Sequence, residues 1–312
     1  MKPELIAAID AGSNSFHMII AEVYGDSLKI IAKERQIIRL GTWSQDEKKI
    51  ISEDEINHAV AIMKRFSHHA ALFNARIIAV ATSAVRDAFN NQDFVDKVFT
   101  RSGIRIIIIP GKKEAELIFA GIKKALKLEG INSLCFDIGG GSTEIINYDG
   151  KKIVFAESFK LGAVRMTKKF FPDSVLTNKS IKKCSEHIEE QLYRNNNIKY
   201  DIPFRIAAGS SGTIQNAASI IHFGNTNKII RKLNGFKFSG KELKEMTDFV
   251  LSCKTTKDRL RIGGIEGKRA DILPAGLIIL NKVFELFSIK EMVISEFALR
   301  EGIIFELSSK LS

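Results

Sequence analysis

Cysteine, proline and tryptophan are scarce in this chain, and acidic residues fall short of basic ones. The three cysteines, Cys135, Cys184 and Cys253, lie at unrelated spacings. They suit neither a disulfide framework nor a zinc site, which points to a reducing compartment. Six histidines show no metal-ligand spacing, and no Ser/His/Asp or Cys/His arrangement stands out. Long apolar runs are missing too. Leu5 to Ile9 is five residues before Asp10, and the stretch Ile272 to Phe287 is broken by Pro274, Asn281, Lys282 and Glu285. The first is too short for a signal and the second reads as a core helix, so the expectation is a cytoplasmic protein with no membrane partner. With 45% hydrophobic and 27% charged residues among 312, the composition excludes disorder and collagen and suggests two domains. Lys plus Arg number 47 against 36 Asp plus Glu, a formal charge of +11. That balance favours polyanions: nucleic acid, nucleotides or chains of phosphate.

The first stretch patterns as a β-meander (Leu5–Ile9, Ser15–Val23, Leu28–Arg39, with Gly25-Asp26 as a turn), followed by a helix over 53–73 with Ser52 as N-cap. A strand at 76–81, helices within 83–100, an isoleucine-rich strand at 104–109 and a helix over 112–127 complete an alternating α/β set. Ile104–Ile109 has the composition of a strand covered on both faces. A second meander follows: strands at 132–136, 142–148 and 152–159. Later segments are helical near 177–193, 239–251 and 272–287, with strands at 204–208 and 291–294 and a terminal helix at 297–307. Each meander opens with a strand, an Asp at its end, and a Gly two residues on; Asp137 follows Asp10 by 127 residues. Internal duplication with facing halves accounts for this, although Asp-x-Gly after a strand is also common turn chemistry.

Glycines after a strand let backbone amides converge on phosphate oxygens. Gly139-Gly140-Gly141 after Asp137 therefore reads as a phosphate loop or as a Gly-rich hairpin. Glu114 shares a helical stripe with Leu117, Ile118 and Gly121, which turns it inward near a helix N-terminus. It is a candidate base for activating water, or merely complements the helix dipole. Thr82-Ser83-Ala84-Val85-Arg86 could bind an anion through Arg86 or be a plain cap. Gly209-Ser210-Ser211-Gly212-Thr213 has the same strand–loop–helix placement, and without a following Lys it is not a Walker A loop. Six basic residues crowd Lys254 to Arg269, a solvated face or a guide for a polyanion. No aromatic residue interrupts them, so nucleic acid is the weaker partner.

Taken together, Ala8 to Met18, Ala81 to Arg86, Pro110 to Phe119, Asp137 to Glu144, Gly209 to Ile214, Arg269 to Gly276 and Leu299 to Gly302 resemble, in order, the exopolyphosphatase/guanosine pentaphosphate phosphohydrolase (Ppx/GppA) family of the actin-like superfamily. The resemblance implies two duplicated RNase H-like α/β lobes, each a mixed five-stranded sheet flanked by helices, with a cleft between them. They would span 1–128 plus a helix at about 297–312, and 129–296. It also implies hydrolysis of the terminal phosphoanhydride of polyphosphate or pppGpp, with Mg²⁺ (or Mn²⁺) as cofactor and Glu114 as general base. Asp137 and Arg86 would join Glu114 in catalysis, and Asp137, Glu144 and Asp10 would serve the metal. Asp10, Gly12, Ser13, Asn14, Ser15, Gly139, Gly140, Gly141, Ser142, Thr143, Ser211, Gly212 and Thr213 would contact phosphate. Lys113, where many members carry Glu, and Ala275, where Gly is frequent, depart from the pattern. Ending at Ser312, the chain would lack the C-terminal helical HD-type domain of long members, which puts processivity on long chains in question. An actin-like small-molecule kinase and a non-catalytic alarmone or polyphosphate sensor are the alternatives, and both monomer and homodimer stay open.

Overall fold

The computed structural model describes residues 4–24, 27–40, 42–43, 49–195 and 202–308. The Gly25-Asp26 turn and the end of the terminal segment, 309–312, lie outside the described residues. Contacts divide the chain into Met1–Gly121 with Leu299–Ser312, and Ile122–Ala298.

In the first unit, β1 (Leu5–Ala11) is central: apolar but for Asp10 and covered on both faces. It pairs antiparallel with β2 (Ser15–Tyr24), which pairs antiparallel with β3 (Ser27–Ile37). The outer strand β3 carries Lys29, Lys33, Glu34 and Arg35, charges that discourage further strand pairing. Two-residue strands β4 (Thr42–Trp43) and β5 (Lys49–Ile50) pair with each other. Helix α1 (Glu53–Leu72) begins in a capping box between Ser52 and Glu55, the expected N-cap. Then β6 (Arg76–Ala81) joins β1 in parallel, and α2 (Ser83–Arg86), α3 (Asn91–Ser102), β7 (Ile106–Ile108) and α4 (Gly111–Leu126) follow. The strand order is β3-β2-β1-β6-β7. One expectation fails here. The isoleucine strand is shorter than its run and forms the sheet edge, where Ile107 is 55% exposed, so it is not covered on both faces.

The second unit repeats the plan. Strands β8 (Asn132–Ile138), β9 (Thr143–Asp149) and β10 (Ile153–Phe159) form an antiparallel meander. Helices α5 (Ala163–Phe170) and α6 (Asn178–Tyr193) precede β11 (Ile206–Ser210), which lies parallel to β8 and runs straight into α7 (Ser211–Thr226). Next come β12 (Lys237–Ser239), α8 (Gly240–Ser252), α9 (Thr256–Arg259), α10 (Leu273–Leu286) and β13 (Glu291–Ile294). The order β10-β9-β8-β11-β13 matches the first sheet strand for strand, and β12 adds a sixth, antiparallel edge not expected from the sequence. Helix α11 (Leu299–Ser308) belongs to the first unit and packs on β1 and β2. Its Gly302 lies so close to Leu117 of α4 that an added methyl would overlap the carbonyl.

Each unit has its own core. Ile9, Phe16, Met63, Phe66 and Phe94 anchor the first; Phe136, Leu192, Leu277, Leu280 and Phe287 the second. Pro274 occupies the first turn of α10, where its missing N–H costs no hydrogen bond. The basic stretch Lys254–Arg269 is not simply a solvated face. Arg259 is fully buried and donates to the carbonyls of Ala270, Cys253 and Ser174, and Arg269 is also buried. A buried cation is tolerated only with its donors satisfied, so Arg259 ties three loops together. No described helix is long and apolar enough to cross a membrane.

Candidate active site

At the end of β8 the chain must turn without burying its peptide groups unpaired. Its solution is asymmetric. The Gly139 carbonyl accepts from Ala163 N (2.9 Å), the Gly140 carbonyl from Val164 N (2.9 Å) and Arg165 N (3.1 Å), and the Gly141 carbonyl from Arg165 Nε (2.8 Å). All three oxygens are thus tied to the first turn of α5, whose amides need acceptors. Among the described residues the amides of Gly140, Gly141 and Ser142 find no backbone acceptor in return. The turn is therefore built with its acceptors anchored and its donors available, the polarity an anion requires. Gly162 makes this approach possible: a Cβ there would fall 2.4 Å from the Gly140 oxygen.

Strand register places a polar row across this end of the sheet. Ser158, Glu144, Asp137 and Ser210 are successive cross-strand neighbours on β10, β9, β8 and β11. Ser158 Oγ donates to Glu144 Oε1 (2.7 Å) and Ser210 Oγ to Asp137 Oδ2 (2.5 Å). Both carboxylates are buried, Glu144 to 1% exposure and Asp137 to 9%. Two adjacent carboxylates repel when both are ionised, and a hard divalent cation relieves that repulsion. Mg²⁺ is commonly held by one or two carboxylates together with phosphate oxygens, so this pair fits it. Among the described residues no three His, Cys, Asp or Glu side chains gather into a complete cage.

Several expected phosphate contacts are otherwise engaged. Thr143 is fully buried and its hydroxyl donates to the Leu161 carbonyl (2.5 Å). Ser211 Oγ accepts from Ile138 N (3.2 Å), with Ser211 in the left-handed region at φ 86°. Such backbone strain persists only where surroundings enforce it. Gly212 lies directly against the Arg269 guanidinium, and Thr213 is buried beside Gly276. Ser211 thus braces Ile138, while Gly212 and Thr213 pack against Arg269 and Gly276.

In the first unit the corresponding turn contains Gly12, Ser13, Asn14 and Ser15, the last three buried. The Asn14 carbonyl accepts from Ile38 N and Arg39 N, both 3.1 Å. Asn14 is 5% exposed, and neither its Nδ2 nor its Oδ1 has a hydrogen-bond partner among the described residues. A buried amide left so costs free energy that a ligand would return. Asp10 closes β1 opposite His17 of β2. Glu114 faces inward as its helical stripe requires, 5% exposed, while Glu116 is half-buried. Arg86, 28 residues earlier, donates through Nη1 to Glu114 Oε2 (2.7 Å) and to the Ile109 carbonyl (3.1 Å). The guanidinium balances the buried charge and fixes the carboxylate. Lys113, the departure from the family pattern, pairs with Glu306 of α11.

Sequence reasoning missed Gly162, Arg165 and Ser158 as parts of this construction, and named Ser210 only within the 209–213 turn, not as a partner of Asp137. Ser210 had a signal, since a serine ending a strand parallel to β8 must lie beside Asp137. Gly162 had none beyond preceding a helix.

The family model described as the Ppx/GppA phosphatase family matches residues 19–311. A Haemophilus influenzae protein named "Putative exopolyphosphatase" is 31% identical over 97% of this chain and 91% of its own length. A guanosine-5'-triphosphate,3'-diphosphate pyrophosphatase of Photobacterium profundum is 32% identical over 98% of this chain but 60% of its own, so the chain spans about three fifths of that relative. Among solved structures, the Aquifex aeolicus member of the Ppx/GppA family superposes with a TM-score of 0.82 at 27% identity, covering 99% of both chains. An exopolyphosphatase from Cytophaga hutchinsonii gives 0.87 at 26% identity, covering 98% of both. With the repeated sheet, the glycine turn and the matched residues in agreement, the chain belongs to the Ppx/GppA phosphatase family.

Proposed function

We propose that the protein hydrolyses the terminal phosphoanhydride of inorganic polyphosphate, of pppGpp, or of both. The observation that carries this reading is the Asp137–Glu144 pair beside a turn whose carbonyls are all anchored and whose amides are available. Phosphoryl transfer needs little covalent help from a protein; positioning and charge stabilisation supply most of the rate. In this scheme the amides of Gly140, Gly141 and Ser142 bind phosphoryl oxygens, and the Gly12–Ser15 turn of the first unit is a second phosphate-binding element. Asp137 and Glu144 would hold Mg²⁺, or Mn²⁺ in its place, which when bound supplies positive charge to the phosphoryl oxygens. Glu114 orients a water and takes its proton as the new O–P bond forms, while Arg86 keeps the carboxylate from turning away. The bond that breaks joins the terminal phosphorus to its bridging oxygen, and the shortened chain departs with the electron pair. The names of the relatives support both substrates, and the three free cysteines suit a cytoplasmic site of action.

The test is phosphate release by the purified protein from polyphosphates of several lengths and from pppGpp, side by side, with and without Mg²⁺. Metal-dependent release from at least one of them is expected. No release from any of them with Mg²⁺ present removes the reading.

A further inference from the structure

The two units share a strand plan but not the chemistry at equivalent positions. The spacing of 127 residues that relates Asp10 to Asp137 also relates His17 to Glu144 and Ser15 to Ser142. Across the second sheet the polar row is Ser158, Glu144, Asp137 and Ser210; across the first it is Arg35, His17, Asp10 and Val80. Where one unit sets a second carboxylate, the other sets an imidazole.

That imidazole bridges the turn to the C-terminal helix. His17 Nε2 lies 2.7 Å from Ser15 Oγ, and His17 Nδ1 lies 3.4 Å from Arg300 Nη1 of α11. Arg300 is in turn 4.0 Å from Glu301, which is fully buried. The direction of this chain follows from its members. A guanidinium can only donate, so a neutral ring that accepts from Arg300 at Nδ1 carries its proton on Nε2. Nε2–H then donates to Ser15 Oγ and occupies an acceptor position of the hydroxyl. Ser15 is 4% exposed, and among the described residues its Oγ has no other partner. Its own O–H is left to donate onward.

We infer that His17 and Arg300 are positioning residues that fix the Ser15 hydroxyl as a hydrogen-bond donor to an oxygen of an anionic phosphate chain. The equivalent position thus differs in role between the units: Glu144 faces Asp137 as a second carboxylate, whereas His17 faces Asp10 as a ring that holds the Ser15 hydroxyl. The identity of that anion rests on the function proposed above; the direction of the relay does not.

The experiment compares Ser15→Ala, His17→Phe, His17→Gln and the double variant Ser15→Ala/His17→Phe in polyphosphate hydrolysis, with thermal melting to check folding. Glutamine offers a carbonyl to Arg300 and an N–H to Ser15, reproducing the relay; phenylalanine offers neither. His17→Phe should raise KM about ten- to a hundredfold with a smaller change in kcat, the range for losing one hydrogen bond to a charged group. His17→Gln should recover most of that loss, and the double variant should be no worse than Ser15→Ala alone. A wild-type KM in His17→Phe, or full additivity with Ser15→Ala, overturns the inference. Nitrogen NMR of the substrate-free wild-type protein gives a separate reading. The Nε2–H tautomer at His17 is expected, and an Nδ1–H tautomer refutes the relay whether or not the protein hydrolyses polyphosphate. A protein that releases no phosphate yet shows the Nε2–H form sinks the functional proposal and still supports the relay.

Discussion

Gly162→Ala isolates the contribution of the glycine turn's support. Gly162 sits in extended backbone at φ −141°, so alanine adopts its conformation without strain. The cost is purely one of space. A Cβ would lie 2.4 Å from the Gly140 oxygen and 2.5 Å from the carbonyl carbons of Gly140 and Gly141, against 3.4 Å at the short edge of ordinary contact. All three are backbone atoms, so no side chain can rotate aside, and the turn must retreat by about 1 Å from a contact that short. Overpacking of this kind costs about 1–3 kcal/mol. A misplacement of about 1 Å at a reacting group can cost on the order of 10²-fold in rate. Turnover should therefore fall further than stability alone explains, because the displaced atoms carry the proposed phosphate donors. Phosphate release and melting temperature are measured together, with Gly224→Ala as the control. Gly224 is helical with open space around it, and alanine there should stabilise by up to about 1 kcal/mol without touching turnover. Wild-type turnover and melting in Gly162→Ala would refute the account of the turn.

Glu114→Gln should lower kcat by about 10²–10⁴-fold, the scale of a general base, while the fold survives by circular dichroism. Near-normal turnover in the purified variant takes Glu114 out of the mechanism. Burial pushes the thiols of Cys135 and Cys184 up to about 12, so both should resist alkylation at pH 8 in the native state, while half-buried Cys253 reacts; peptide mass spectrometry reads the difference. Ser239 caps α8, and its backbone N–H followed by its hydroxyl holds Glu242 below the usual carboxylate range. A depressed carboxylate contributes stability above its unfolded pKa and loses it as pH falls through the folded value. Ser239→Ala should thus cost about 1 kcal/mol near neutrality and progressively less in acid, measured by denaturant titration across pH. An unchanged difference down to low pH would contradict this coupling.

What the sequence determined was local or periodic. Ser52 and Glu55 announce the start of α1 because a cap is satisfied within four residues. The stripe through Leu117 and Ile118 turns Glu114 inward because helical spacing decides which face is apolar, and the double meander is legible because strand, Asp and Gly recur in the same order. Tertiary structure decided whatever depends on residues far apart in the chain. It paired Arg86 with Glu114, drew α5 under the glycine turn, and set Ser158 and Ser210 on either side of the two carboxylates. It also buried Arg259 and Arg269 within a stretch that reads as surface charge, and left Ile107 exposed on a sheet edge. The physical reason is that neighbours across strands follow from register and strand order, and contacts between helices and loops from how the elements pack, none of which is written in the residues of one segment.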